Sequence, residues 1–94
     1  MDLRVNSVHF SADQKLIDFI NEKIGKLEQF NNHLISGEVF LRLDNGSDKE
    51  NKIAEIKLHG PGSEFFAKRQ CKTFEEATDQ AAEALRRQIQ KNKR

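Results

Sequence analysis

Alternating apolar and polar residues predict four β-strands, in the stretches LRVNSVHF, EVFLRLD, KIAEIKLH and SEFFAKRQ. In the second stretch, Val39, Leu41 and Leu43 fall on one face, while Phe40 and Arg42 fall on the other. Turn sequences separate the last three strands: Asn45-Gly46 within NGSDKEN, and GPG at 60–62. These three strands should therefore pair as antiparallel hairpins.

Apolar residues at helical spacing predict two helices. The first follows Ser11, which forms a capping box with Gln14, and extends to about Phe30. The second follows Thr73, which forms a second capping box with Glu76. The apolar faces contain Leu16, Ile17, Ile20, Ile24 and Leu27 in the first helix, and Phe74, Ala77, Thr78, Ala81, Leu85, Gln88 and Ile89 in the second.

The order β-α-β-β-β-α predicts an α+β fold in which both helices pack on one face of a four-stranded mixed sheet. The first two strands should be parallel if they are neighbours, with a right-handed crossover. We expect the two helical stripes to be buried against the second and third strands, at Val39, Leu41, Ile56 and Leu58.

The composition fits a single small domain of 94 residues. An apolar content of 36% with seven Phe argues against disorder, although 33% of the residues are charged. The single Cys excludes an internal disulfide and favours a reducing compartment. The chain shows neither a signal pattern nor an apolar run long enough to span a membrane, so we expect a cytoplasmic protein.

Positive charge is concentrated at the end of the second helix. The first 85 residues hold 11 basic and 15 acidic residues, whereas the last nine hold five bases and no acid. These five are Arg86, Arg87, Lys91, Lys93 and Arg94. Bases at a helix C-terminus suit the helix dipole and aid solubility, but the dipole alone does not require an acid-free cluster. We favour contact with nucleic acid, since Arg is suited to phosphate.

Two further groups of bases have simpler explanations available. Lys15, Lys23 and Lys26 fall with Phe19 within an arc of roughly 80° on the first helix, and taken alone this arc is better explained as the solvated flank of an amphipathic helix. The sheet face opposite the helices should present Arg4, Phe40, Arg42, Lys57, His59, Phe66 and Lys68. Basic residues interleaved with Phe on one face could hold phosphates and stack nucleotides, but we favour simple packing of Phe40 against Phe66.

No catalytic or metal-binding pattern emerges. His9, His33 and His59 lack ligand spacing, and Cys71 has no base placed beside it by any motif. The loops DNGSDKEN and HGPGS match neither a calcium loop nor a phosphate-binding loop. We therefore expect a protein that is not an enzyme and that uses no metal, cofactor or small-molecule substrate.

Several stretches together resemble the ribosome hibernation promoting factor family, also called ribosome-associated inhibitor A or sigma-54 modulation proteins. They are KIGKLEQF, EVFLRL, AEIKLHGPGSEFFAK and TFEEATDQAAEALRRQIQKNK, and they span nearly the whole chain. Lys26, Leu27, Glu28 and Phe30 match the family's K-L-E-aromatic pattern, with a one-residue spacer. The family's R-Q-Φ-x-K-x-K pattern is matched by Arg87, Gln88, Ile89, Lys91 and Lys93.

The resemblance implies a fold similar to a double-stranded-RNA-binding domain, and a short-form member in which residues 1–94 are one ribosome-binding domain. It implies binding to the small ribosomal subunit, in the channel of mRNA and tRNA, and inhibition of translation. The bases that would meet ribosomal RNA phosphates are Lys23, Lys26, Arg42, Arg87, Lys91 and Lys93. The chain departs from the family at Glu75, where a Tyr is usual, at Ala84, where a Lys is usual, and at the added Arg86.

Two expectations follow, one about the basic surface and one about the function. We expect Lys23 and Lys26 to share one positive surface with Arg87 and Lys91. The alternative to ribosome binding is a protein-interaction module that modulates a transcription factor, as one of the family's names suggests. Salt-sensitive binding to purified ribosomes would separate the two functions.

Overall fold

A computed structural model describes residues 1–46 and 49–92 of the chain. The strands are β1 (Asp2–Ser7), β2 (Ser36–Leu43), β3 (Lys52–Gly60) and β4 (Ser63–Cys71), and the helices are α1 (Gln14–Gly25) and α2 (Phe74–Asn92). A short 3₁₀ helix over Lys26–Gln29 continues α1. This order confirms the predicted β-α-β-β-β-α arrangement and the α+β fold.

The four strands lie side by side in chain order, with β1 parallel to β2 and the other pairs antiparallel, as predicted. Val39 lies opposite Val5 on one side and opposite Ile56 on the other. Leu58 lies opposite Phe65. Because side chains alternate along a strand, this register gathers the apolar residues on one face of the sheet.

Both helices pack on that apolar face. The residues of the two predicted stripes are buried except for Ile17 and Gln88, which are half-buried. Ile20 and Ile24 of α1 and Leu85 of α2 are each 0% exposed. Burial of one such aliphatic side chain contributes roughly 1.5–3 kcal/mol. The helices therefore owe their position to the sheet, and the expected contact surface of Val39, Leu41, Ile56 and Leu58 is fully enclosed.

The start of α1 differs from the prediction. Its N-cap is Asp13 rather than Ser11, and the Asp13 carboxylate accepts a hydrogen bond from the N–H of Leu16 at 2.9 Å. The ring of Phe10 stacks on Phe74 at a centroid distance of 5.1 Å, which holds the preceding segment against the core. The second cap is as predicted, since the Thr73 hydroxyl accepts from the N–H of Glu76 at 3.0 Å.

The end of α1 also differs, because the predicted helix to Phe30 changes type part-way. The α-helix ends at Gly25, and the following turn tightens into the 3₁₀ helix, where the N–H of Phe30 donates to the carbonyl of Leu27 at 3.0 Å. Leu27 nevertheless stays buried, as the apolar spacing indicated.

The two helices run in the same general direction across the sheet. Phe10, just before α1, stacks on Phe74 at the start of α2. The turn after α1, at Asn31, shares a cavity with Ile89 and Asn92 at the end of α2. Neither of these two helices is long and apolar enough to span a membrane.

Candidate RNA-binding surface

The basic end of α2 is held firmly by the core. Leu85 and Ile89 are buried at 0% and 1% exposure, while Arg86, Arg87 and Lys91 occupy the same two turns and point away from the core. The helical period places these three side chains on the outer half of α2. Lys93 and Arg94, which sequence analysis assigned to the same group, lie outside the described residues.

The three bases differ in how much of their charge is already engaged. The Arg86 guanidinium hydrogen-bonds to Glu83, with Nε 3.1 Å from Oε2, and to Oε1 of Gln90 at 2.7 Å. The hydrogen bond between the pair raises the pKa of Arg86 and lowers the pKa of Glu83. The side chain of Arg87 is 70% exposed, and its Nε lies 4.0 Å from Oε1 of Glu83, which is a weaker interaction than that of Arg86. Lys91 is exposed and, among the described residues, makes no ion pair.

Lys23 of α1 and Lys26 of the following 3₁₀ helix have acidic neighbours. Nζ of Lys23 lies 3.1 Å from Oδ1 of Asp79 and 5.8 Å from the ring centroid of Phe19. Nζ of Lys26 lies 3.6 Å from Glu22. Lys15 is exposed in the first turn of α1, eight residues before Lys23. Only part of the predicted lysine arc therefore lies toward the end of α1.

The expected continuous surface of α1 lysines and α2 bases is interrupted at Lys23. Asp79, its partner, belongs to the acidic first half of α2, eight residues before Arg87. At 1.5 Å per residue this is an axial offset of about 12 Å, and Arg87 projects about 80° further around the helix. Packing thus places Lys23 beside an acid rather than beside Arg87.

Arg42 lies on the opposite face of the molecule. It occupies the sheet face that the helices leave open, and it pairs with the carboxylate of Glu55 on β3. Ile53, also on this face, is only 8% exposed between Arg42 and Gln70, its partners in register. Arg42 therefore lies on the open face of the sheet and is not part of the basic surface at the end of α2.

The expected packing of Phe40 against Phe66 is not observed. Phe40 lies on β2 and Phe66 on β4, with β3 between them. Phe66 is 49% exposed, and the aromatic ring contact within the described chain is that of Phe10 with Phe74. Sheet register separates the two rings, because β3 intervenes.

A groove that sequence analysis did not predict opens at the end of the molecule where α2 finishes. It consists of two adjoining cavities of about 500 and 410 Å³ that share Asn31, His33 and Asn92. The first is also lined by Phe30 and Ile89, and the second by the β3–β4 turn at 61–63. We call these two cavities the end groove. Elements distant in sequence form it, so no local pattern could reveal it.

The described residues offer no cluster of three or more His, Cys, Asp or Glu side chains that could hold a metal ion. Cys71 is buried, and burial together with the nearby Glu76 carboxylate raises the pKa of its thiol. A thiol in that environment is held in its unreactive protonated form.

A family model described as sigma 54 modulation protein / S30EA ribosomal protein matches residues 3–94. The chain belongs to this family. Its membership agrees with the resemblance noted from the sequence, and the matched region includes both helices and all of the sheet except Asp2.

Two relatives are similar to this chain over almost its whole length. The chain is 28% identical over 93 residues to a ribosome hibernation promoting factor of Klebsiella oxytoca, covering 99% of this chain and 94% of that one. It is 26% identical over 93 residues to the factor of the same name from Pseudomonas putida, covering 99% and 87%.

Two solved structures share the fold at lower identity. A ribosomal subunit interface protein from Coxiella burnetii matches with a TM-score of 0.88 at 15% identity, covering 99% of this chain and 98% of that one. The N-terminal domain of Thermus thermophilus Protein Y matches with a TM-score of 0.83 at 20% identity, covering 97% and 98%. At these identities the likeness concerns the fold alone, which is the mixed sheet covered by two helices.

Proposed function

We propose that residues 1–94 act as one ribosome-binding domain, which occupies the mRNA and tRNA channel of the small ribosomal subunit and so inhibits translation. The observation that carries this proposal is the acid-free end of α2, where Arg87 and Lys91 are exposed on a helix fixed by Leu85 and Ile89. The names of the relatives, hibernation promoting factor and subunit interface protein, support it. Those names favour the ribosome over modulation of a transcription factor.

Phosphate contact follows from the chemistry of this surface. Arg87 presents a planar guanidinium that matches two phosphate oxygens, and Lys91 adds a compact charge one helical turn later. Such contacts position a protein on RNA without reading sequence. Selectivity for the ribosome would then come from the shape of the channel and from the fixed spacing of the bases on α2. In this mechanism the domain acts by occupying space, and it performs no chemistry.

Lys23 and Lys26 would add phosphate contacts, and in doing so they would give up part of their present interaction with Asp79 and Glu22. Lys23 is 39% exposed and would exchange Asp79 for phosphate, or contact phosphate while keeping it. Lys26 has greater freedom, since its side chain is 61% exposed and Glu22 lies 3.6 Å away. Exposed ion pairs of this kind contribute only about 0–1 kcal/mol, so an RNA phosphate can compete with them.

The test is co-sedimentation with purified small and large ribosomal subunits over a range of salt concentrations. If about six bases neutralise phosphates, log affinity for the small subunit should fall against log salt with a slope of roughly −4 to −5. The double variant Arg87→Gln/Lys91→Gln should flatten that slope by about one to two units. The matched control, Lys57→Gln/Lys68→Gln, removes the same charge from the open sheet face and should leave the slope unchanged.

Function is tested by adding the domain to a cell-free translation reaction. The wild type should inhibit synthesis, and excess tRNA and mRNA added beforehand should protect against it. Binding without salt dependence, equal effects of both double variants, or preference for the large subunit would each contradict the proposal.

A further inference from the structure

We propose that the end groove is a binding site for one unpaired base of RNA, a site that would supplement phosphate contact by α2. The inference rests on the proposed function, because the base would belong to ribosomal RNA. Three properties of the groove carry it: its lining, its charge and its position.

The lining of the groove is rich in groups that pair with base edges. Asn32, His33 and Asn92 are exposed there, and their side chains make no hydrogen bond or ion pair within the described part of the chain. Amide side chains donate and accept together, as the edge of adenine requires. Phe30 lines the same cavity and offers an aromatic ring of the kind on which unstacked RNA bases are held.

Hydrogen bonds hold the backbone of residues 31–34, of which 31–33 line the groove, in a closed turn. The side chain of Asn31 accepts from the N–H of His33 at 2.9 Å, and the carbonyl of Asn31 accepts from the N–H of Leu34 at 3.4 Å. Leu34 is buried, which anchors the turn on the core. Asn32 and His33 therefore project from a closed turn, and the backbone that carries them needs little ordering when a ligand binds.

The charge of the groove suits a base rather than a metal ion. Its carboxylate, Glu28, lies 2.8 Å from the α-ammonium group of Met1, which compensates the negative charge. The remaining lining contains no Asp, Glu, Lys or Arg. Lys91 directly precedes Asn92, so a phosphate bound at the end of α2 and a base in the groove can come from the same short RNA segment. The larger cavity, of about 500 Å³, falls within the range of roughly 300–1,000 Å³ typical of small-ligand sites.

The test compares AMP by ¹H–¹⁵N NMR with ribose 5-phosphate, which has the same sugar phosphate but an anomeric hydroxyl in place of the base. AMP should shift the amides of residues 31–33 and 92 and bind about five- to 150-fold more tightly, the range expected for one stacked base. Ribose 5-phosphate should shift mainly the amides near Arg87 and Lys91. Equal affinities, or AMP shifts that avoid the groove, would overturn the inference.

Variants separate this site from the α2 phosphate contacts. Asn32→Ala/His33→Ala should remove most of the advantage of AMP over ribose 5-phosphate, while Asn21→Ala, an exposed position on α1, should keep it. A groove variant that retains the full AMP advantage would refute the site. If AMP behaves as expected but the wild type does not sediment with the small subunit, the ribosomal function fails and the base site stands. If the subunit binds with the expected salt slope but AMP shows no advantage, the base site fails alone.

Discussion

The side-chain amide of Gln88 on α2 bonds to both backbone groups of Phe66 on β4. Its Oε1 accepts from the N–H of Phe66 at 3.2 Å, and its Nε2 donates to the carbonyl of Phe66 at 2.7 Å. β4 is an edge strand, so these backbone groups would otherwise be available to another chain. Close by, the Arg69 guanidinium donates to the carbonyl of Lys68 at 2.8 Å. The side chains of Gln88 and Arg69 thus form the hydrogen bonds with this part of the edge that a neighbouring strand would otherwise form.

Gln88→Ala should lower stability and expose this edge. Loss of two partly exposed hydrogen bonds predicts a decrease of about 1–2 kcal/mol in the free energy of unfolding, measured by urea denaturation. Sedimentation should also show more self-association as concentration rises. Gln80→Ala removes an exposed amide of the same helix that makes no hydrogen bond in the described chain, and serves as the control. Identical unfolding midpoints for the two variants would show that the Gln88 bonds contribute nothing.

Two glycines should respond to alanine in opposite directions. A Cβ at Gly37 would lie 2.7 Å from Cδ2 of Leu58 and 2.8 Å from Cδ1 of Leu3, so Gly37→Ala should destabilise by about 1–3 kcal/mol through overpacking. Gly25 has helical dihedral angles, and a Cβ added there would meet no atom within 4 Å, so Gly25→Ala should stabilise by about 0.4–1 kcal/mol. Thermal unfolding of both variants checks this. A stabilised Gly37→Ala would contradict the packing around Gly37, and a destabilised Gly25→Ala would contradict the open space at Gly25.

Arg86 and Arg87 should differ in their contribution to RNA binding. Arg87→Gln should reduce the magnitude of the salt slope by about 0.7–0.9, the value for one lost phosphate contact. Arg86→Gln should reduce it less, because Arg86 is already bonded to Glu83 and Gln90. Glu83→Gln should strengthen binding by releasing Arg86, whereas Glu75→Gln, at the other end of α2, should have little effect. Equal losses from the two Arg variants would show that the intramolecular bonds do not restrain Arg86.

Asp44 should make the fold sensitive to acid. The N–H of Gly46 donates to its Oδ1 at 3.0 Å and Nε2 of Gln70 to its Oδ2 at 2.9 Å, and these hydrogen bonds lower the pKa of Asp44. Because the pKa is lower in the folded state, the stabilisation is present above the unfolded value of about 3.9 and is lost as pH falls below it. Urea unfolding from pH 6 to pH 3 should therefore show a deficit for Asp44→Asn that shrinks toward pH 3. The control Asp2→Asn removes an exposed carboxylate, and a deficit of constant size for Asp44→Asn would rule out the linkage.

The strands and the core could be predicted because their information is local. Val39, Leu41, Ile56 and Leu58 alternate with polar residues, and that period alone assigns them to the buried face. The predicted cap of α1 at Ser11 was wrong, since Asp13 is also a residue that caps helices well and takes that position in the structure. Packing of Phe10 on Phe74 helps to decide between them, and that contact joins residues far apart in sequence.

The ion-pair partners of the charged side chains could not be predicted from the sequence, although the exposed side of α2 could. The apolar stripe of α2 fixes one side of the helix, so its period leaves Arg87 and Lys91 on the outer half, and both are exposed. The partner of Lys23, in contrast, depends on how far α1 is displaced along α2, and the helices acquire that displacement from the sheet. The pairing of Arg42 with Glu55 likewise depends on strand register, in which Arg42 lies directly opposite Ile53.

Attachment of α2 to the edge of β4 also has a thermodynamic consequence for binding. The backbone that carries Arg87 and Lys91 is ordered during folding, by Leu85, Ile89 and the two bonds of Gln88, so little conformational entropy remains to be lost when RNA binds. Under the proposed function, affinity for phosphate is thereby coupled to local unfolding of the last two turns. A substitution that loosens α2 from β4 should then weaken RNA binding even though it removes no positive charge.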